Sequence, residues 1–328
     1  MIRCKDIAAM VGVSRQAVTA VLNNSRPNCV SREKREEILR VAAEHKYRPD
    51  HAALALKTGK SDLIGIVMPP WDNPYIAELC MGIQRCLAAR NRTPFFTIDN
   101  YENPVPGNLE ELLSLHVAGM ITVASSLLPD DMDIPVVSYF NDDPRFDSLC
   151  PDVERDSRLI LDCLMARGHR KIGYLGLLVE RRMNSLTAEA ERRGMVFAPS
   201  WRIEDPDPLS ADLFDRLLAS NRGKELPTAL IVINDDLALK VIRRIRDRGF
   251  RVPEDFSIIG HDDIARSAHF IPALTSVSRG SSDEIAAAMV DMLLRRMEDP
   301  TRPRQKIVLR SKLIERETVL DLNRGRKD

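Results

Sequence analysis

Residues Asp6 to Asn24 read DIAAMVGVSRQAVTAVLNN, the pattern of two short helices joined by one tight turn. Ile7, Ala8, Met10 and Val11 give the first helix an apolar face, and Gly12 supplies a residue free to take positive φ where that helix must stop. Ser14 is a good N-cap for the second helix, and Val18, Val21 and Leu22 recur at the spacing that forms a buried stripe. The opposite face carries Arg15, Gln16, Thr19, Ala20 and Asn23. Arg and Gln offer donor and acceptor pairs that match guanine and adenine edges, and both stand at the helix end that enters the major groove first. The DNA-facing set predicted from this stretch is Ser14, Arg15, Gln16, Ala17, Thr19, Ala20 and Asn23.

The charge distribution points the same way. The formal net charge is zero, with 48 basic and 48 acidic residues, but the average conceals an asymmetry. The first 60 residues hold 12 Lys and Arg against 6 Asp and Glu, which leaves 36 against 42 for the rest. A basic module on an acidic body is expected when only one end of a chain meets phosphates. At 328 residues, 44% hydrophobic and 29% charged, the chain has the composition of a globular protein of two or three folding units, not of a disordered or fibrous one. The six cysteines, Cys4, Cys29, Cys80, Cys86, Cys150 and Cys163, form no C-x-x-C pair and no metal spacing. With no signal peptide and no apolar run of 18 residues, they read as reduced thiols in a cytoplasmic protein that makes no membrane contact.

Beyond a third helix capped by Ser31, the segment YRPDHAALALKTGKSD from Tyr47 to Asp62 has room for about two helical turns, too few to be stable alone. From Leu63 the pattern changes. Apolar strand runs at 63–68, 95–98, 119–124, 135–140, 171–176, 229–233 and 256–260 alternate with amphipathic stretches at 75–90, 154–167, 209–220, 237–248 and 283–297. Strands spaced by helices in this way imply parallel sheets covered on both faces.

Taken in order, the turn-containing stretch, VSREKREEILRVAAEHKYRPD, RGFRVPEDFSIIGHDD and IPALTSV resemble the lactose-repressor (LacI/GalR) family of bacterial transcription regulators, along nearly the whole chain. The resemblance implies an α/β protein: a small all-α helix-turn-helix headpiece followed by two Rossmann-like lobes of periplasmic-binding-protein type. Residues 1–48 would be the headpiece, 49–60 a hinge helix, and 61–328 the effector-binding and dimerisation domain. Within that domain one lobe would span 61–165 plus 280–303, and the other 166–279 plus 304–328. Leu56 and Lys57 fall on the hinge positions that, in the family, wedge a base step in the minor groove and meet the backbone. Read from its residues alone, the same segment is a plain interdomain linker. Leu54 stands where the family usually has a basic residue, and Ala20 where it often has arginine, so base reading is expected to lean on Arg15 and Gln16.

In doubly wound sheets, ligands bind beyond the carboxyl ends of the strands. On the residues matching the family's cleft segments, the implied effector set is Trp71, Tyr75, Asp152, Arg182, Asn234 and Asp262. These would supply acceptors, a guanidinium fork and an aromatic face for a sugar or sugar phosphate, with a purine as the alternative. The loop after KIGYLG is shorter than usual, and Ser185 replaces a glycine there, which loosens the assignment of Arg182. Trp201 and Tyr139 are further stacking candidates or core residues.

Other classes lack support. Ser31 to Lys34 fits S-x-x-K but reads as a helix cap, and no phosphate loop, nucleophile elbow or zinc helix occurs, so no catalytic residue, metal or cofactor is assigned. A solute receptor would need an export signal, and an enzyme would not need a basic headpiece. The expected protein is a homodimer on a pseudo-palindromic double-stranded operator, governed by a small-molecule effector. The tail VLDLNRGRKD is too short and charged for the tetramerising helix of some family members.

Overall fold

The computed structural model describes residues 2–22, 30–47, 61–69, 73–98, 107–123, 125–204 and 212–323. The chain divides into two compact units, Met1–Asp62 and Leu63–Asp328.

The first unit holds helices α1 (Cys4–Val11), α2 (Arg15–Leu22) and α3 (Arg32–Glu44). Ile7, Ala8, Val11, Val18, Val21, Ile38, Val41 and Ala42 close one core between them. Each helix contributes a narrow apolar stripe, so none could bury its face without the other two. Gly12 ends α1 in the left-handed conformation at φ 72°. The Ser31 hydroxyl accepts from the Lys34 amide to start α3, and Cys4 Sγ meets the Tyr47 hydroxyl at 2.9 Å, tying the two ends of the unit.

The second unit consists of two six-stranded sheets. The first contains β1 (Leu63–Met68), β2 (Thr93–Ile98), β3 (Gly119–Thr122), β4 (Val136–Tyr139), β5 (Asp147–Pro151) and β11 (Lys306–Leu309), in the order β11-β5-β4-β3-β1-β2, all parallel. Helices α4 (Pro74–Ala88) and α11 (Ser282–Glu298) cover one face, and the short α5 (Asn108–Ser114) lies on the other. The second contains β6 (Ile172–Leu175), β7 (Arg202–Ile203), β8 (Ala229–Val232), β9 (Ser257–His261), β10 (Thr275–Ser278) and β12 (Lys312–Ile314), ordered β12-β10-β9-β8-β6-β7, with only β12 antiparallel. Its layers are α6 (Val153–Ala166) and α7 (Glu180–Arg192) on one face and α8 (Leu213–Ser220) and α9 (Asp235–Asp247) on the other; α10 (Ala265–His269) follows β9.

The expected lobe edges need two corrections. The first lobe was expected to run to residue 165, yet Ile160, Leu161 and Leu164 of α6 are buried with Ile172, Tyr174 and Ile231 of the second sheet. The chain therefore crosses between β5 and α6. The first lobe was also expected to end near 303, but β11 pairs with β5 in the first sheet, so the last crossover falls between Leu309 and Lys312. The remaining crossover falls between β10 and α11.

Candidate functional site

In the headpiece, the Ser14 hydroxyl accepts from the Ala17 amide at 3.1 Å and so fixes the start of α2. Ser14, Arg15 and Gln16 are exposed, whereas Ala17 and Thr19 are half-buried. Thr19 turns its hydroxyl back onto the Arg15 carbonyl at 2.9 Å. The expectation that Ala20 belongs to the open face fails: it is 8% exposed and stands with Val18 and Val21 among the buried residues of α2. Lys34 Nζ donates to the Val11 carbonyl at 2.7 Å, placing a cation at the C-terminal end of α1 where its dipole favours one. Asn23, Leu56, Lys57 and Trp71 lie outside the described residues.

In the second unit, the ends of β1, β4, β9 and β10 converge on a buried polar cluster. Arg279, just past β10, has a side chain only 3% exposed and lies between two carboxylates, Asp156 at 3.2 Å and Asp262 at 3.3 Å. Asp262 also accepts from Asn73 Nδ2 at 3.3 Å, and this bond joins the lobes directly. Tyr75 and Tyr139 share a short hydroxyl contact beside them. Burial pushes the Tyr75 phenol up to about 12 and Tyr139 well above its usual value. Burial also raises the Asp262 carboxyl despite the Arg279 charge next to it. For Arg279, burial works against the charge, but Asp156 and Asp262 overcome it and hold the guanidinium more firmly protonated than in water.

The backbone around this cluster is strained. Asp262 and Asp263 take φ of 99° and 55°, a conformation that L residues adopt at a cost. Asp235, fully buried at the start of α9, holds the turn by accepting from Ile264 N at 3.1 Å and from the Ser267 and Ser276 hydroxyls at 2.6 Å each. Burial raises its carboxyl to about 7 even with these donors. Ser276 in turn accepts from the Asp263 amide, and Arg316 pairs with the Asp263 carboxylate at 2.6 Å. Next to the cluster lies a cavity of about 620 Å³ whose lining includes Tyr75, Glu78, Asp262, Asp263, Gly280, Asp283 and Lys312.

The predicted effector residues are thus only partly together. Tyr75 and Asp262 meet at the cavity, although the Tyr75 ring is 3% exposed and offers no open face. Arg182 donates to the Ile233 carbonyl at 3.1 Å and approaches the Tyr174 hydroxyl at 3.4 Å, and its charge is felt at Asp262. Asp152 and Asn234 serve as N-caps, accepting from Arg155 and Leu237 amides at 2.9 Å. One turn beyond Asp152, Asp156 is the carboxylate in the cluster. Trp201 is buried in the second lobe's core. His261 is also buried, its Nδ1 3.0 Å from the Val232 carbonyl, and burial keeps it neutral. Sequence reasoning missed Arg279 and Asp156. Arg279 follows β10, whose polar sequence TSVS does not mark it as a buried strand. Among the described residues no group of three His, Cys, Asp or Glu is placed to hold a metal, and no helix is long and apolar enough to cross a membrane.

A helix-turn-helix unit in one chain with a two-lobed body and a polar interlobe cluster defines a class, the ligand-answering DNA-binding regulators. Residues 3–50 match the family described as bacterial regulatory proteins, lacI family, and 161–319 match the periplasmic binding protein-like domain. The chain is 30% identical over 318 residues to the HTH-type transcriptional repressor PurR of Haemophilus influenzae strain PittEE, covering 90% of this chain and 91% of that one. It is 26% identical over 338 residues to the ribose operon repressor of H. influenzae strain KW20, covering 98% and 100%. The fold matches the lac repressor dimer bound to operator and the anti-inducer ONPF with a TM-score of 0.81, at 24% identity over 97% of this chain and 99% of that one. The chain belongs to the lacI family of bacterial regulatory proteins and is a DNA-binding transcriptional regulator.

Proposed function

We propose that the protein is a cytoplasmic repressor that grips a two-fold symmetric operator as a homodimer and is governed by a small carbohydrate or purine in the interlobe cleft. The observation that carries the DNA reading is the pair Arg15 and Gln16, exposed at the capped start of α2 on a closed three-helix core. Arg15 and Gln16 take the base-reading role, Ser14, Ala17 and Thr19 flank them, and the covered methyl of Ala20 adds no reach. Asn23, Leu56 and Lys57 are assigned to DNA by resemblance. One headpiece offers too little surface for specific affinity, which favours paired half-sites. Selection from randomised duplexes tests this: an enriched palindrome is expected, and a flat outcome with and without metabolites would end the proposal.

For the effector, Tyr75, Asp262 and Arg182 form the inner set, Asp152 and Asn234 shape the rim, and Trp71 is assigned by resemblance. Carbohydrate leads on the family resemblance and purine is the second reading; PurR and a ribose operon repressor both stand among the relatives. Binding alone suffices for this role, and no catalytic step is proposed. Effector and operator would be coupled by about 1 to 3 kcal/mol, as in most allosteric pairs.

A further inference from the structure

We infer that the cleft is built for an uncharged effector rich in paired hydrogen-bond donors and acceptors, and discriminates against its phosphorylated counterpart. The inference rests on the cleft being the effector site.

The central cation of the cluster is already committed. Arg279 lies between Asp156 and Asp262, with all three side chains at least nine-tenths buried. Arg182 spends Nη1 on a backbone carbonyl and a phenol. An incoming phosphate would need uncommitted positive charge, and here it would meet two buried carboxylates at the same guanidinium. The adjoining cavity carries Glu78, Asp262, Asp263, Asp283 and Glu284 against Arg85 and Lys312, and Arg85 is paired with Asp283.

Four helix N-termini are committed too. Anions commonly ride on open helix N-termini. Asn73, Asp152, Asn234 and Ser281 each use their own side-chain oxygen to fill the N-termini of α4, α6, α9 and α11. The start of α7 lacks such a cap but bears Glu180 in its first turn.

Among the described residues, two polar atoms of the cluster are buried without a hydrogen-bond partner, the donor Arg279 Nε and the acceptor Asp156 Oδ1. A hydroxyl, a carboxamide or the edge of a nucleobase can give and take a hydrogen bond there. A phosphate dianion offers only acceptors and would leave the Asp156 oxygen facing negative charge.

Calorimetry with the full chain on matched pairs tests this: ribose and ribose 5-phosphate, glucose and glucose 6-phosphate, guanosine and its 5′-monophosphate. For any pair that binds, the neutral member should bind at least about tenfold more tightly. Asp156→Asn, checked for folding by circular dichroism, should narrow that ratio, since it removes one negative charge. A phosphorylated member that binds the wild type more tightly overturns the inference and leaves the effector reading standing. If no member of any pair binds, the effector reading falls and this inference falls with it.

Discussion

The headpiece and the interlobe cluster treat charge in opposite ways. In the headpiece the buried residues that close the core are apolar, and Arg15, with Gln16 beside it, stands in solvent. In the cluster, Arg279, Asp156 and Asp262 are withdrawn from water and paired with one another. A surface that meets a long polyanion gains from solvated, mobile cations that release counterions on contact. A site that encloses a small molecule must settle its charges in advance, because an unpaired buried ion costs several kcal/mol.

The sharpest way to break that comparison is to remove the central cation. Arg279→Met strands Asp156 and Asp262 and is expected to lower stability of the two-lobed unit by about 3 to 5 kcal/mol in urea unfolding. A loss below about 1 kcal/mol would mean that the cluster is open to water, and the contrast with the headpiece would disappear.

A related effect should appear on titration. The Asp235 carboxyl is raised to about 7 by burial, whereas an unfolded chain releases that proton near 3.8. Below both values the two states hold the proton equally, so nothing is lost. Between about pH 4 and 7 the unfolded state ionises first, and stability falls as pH rises, by as much as about 4 kcal/mol for a shift of this size. Unfolding of wild type and Asp235→Asn at pH 5 and pH 8 should show the gap between them narrowing toward pH 8, because only the wild type bears the cost of the buried charge. A gap of constant size would show that the carboxyl ionises normally.

Much of this arrangement was readable from the chain. LIGIVM and ALIVI are continuous apolar runs, as strands covered on both faces require, and they are β1 and the strand β8. Two of the strands that escaped are polar. β5 reads DSLCP and is buried because Arg296 takes the Asp147 carboxylate; β10 reads TSVS and is buried because Asp235 and Thr318 satisfy it. Hydrophobic patterning cannot see burial that depends on a partner far along the chain. Helix α7 escaped for a similar reason, since only Met183, Leu186 and Ala190 of its 13 residues are buried. Asp156 and Arg279 were invisible in the same sense. Nothing local marks an aspartate inside α6 as facing an arginine 123 residues later.

On the headpiece side, Arg15→Ala should leave stability within about 0.5 kcal/mol of wild type, because the side chain is exposed. It should cost about 1 to 3 kcal/mol of operator affinity and loosen preference at one base pair of the half-site. Binding to a set of singly substituted operators separates the outcomes. A uniform loss at every sequence would make Arg15 a phosphate contact and move base reading elsewhere on α2.

The smallest effect is the most informative about how the reading surface is held. Ser14 accepts the Ala17 amide and is itself exposed, so it belongs to both the fold of α2 and the face offered to DNA. Ser14→Ala removes the cap and should cost about 1 kcal/mol of headpiece stability, whereas Ser14→Asp keeps an acceptor and suits the positive end of the helix dipole. The aspartate variant should therefore be as stable as wild type in the free protein yet bind operator less tightly, since its charge faces phosphates. If Ser14 acts only as a cap, operator affinity will follow headpiece stability across the three proteins. If it also touches DNA, the aspartate will fall off that line, and the gap measures what the serine contributes at the groove beyond holding α2 in place.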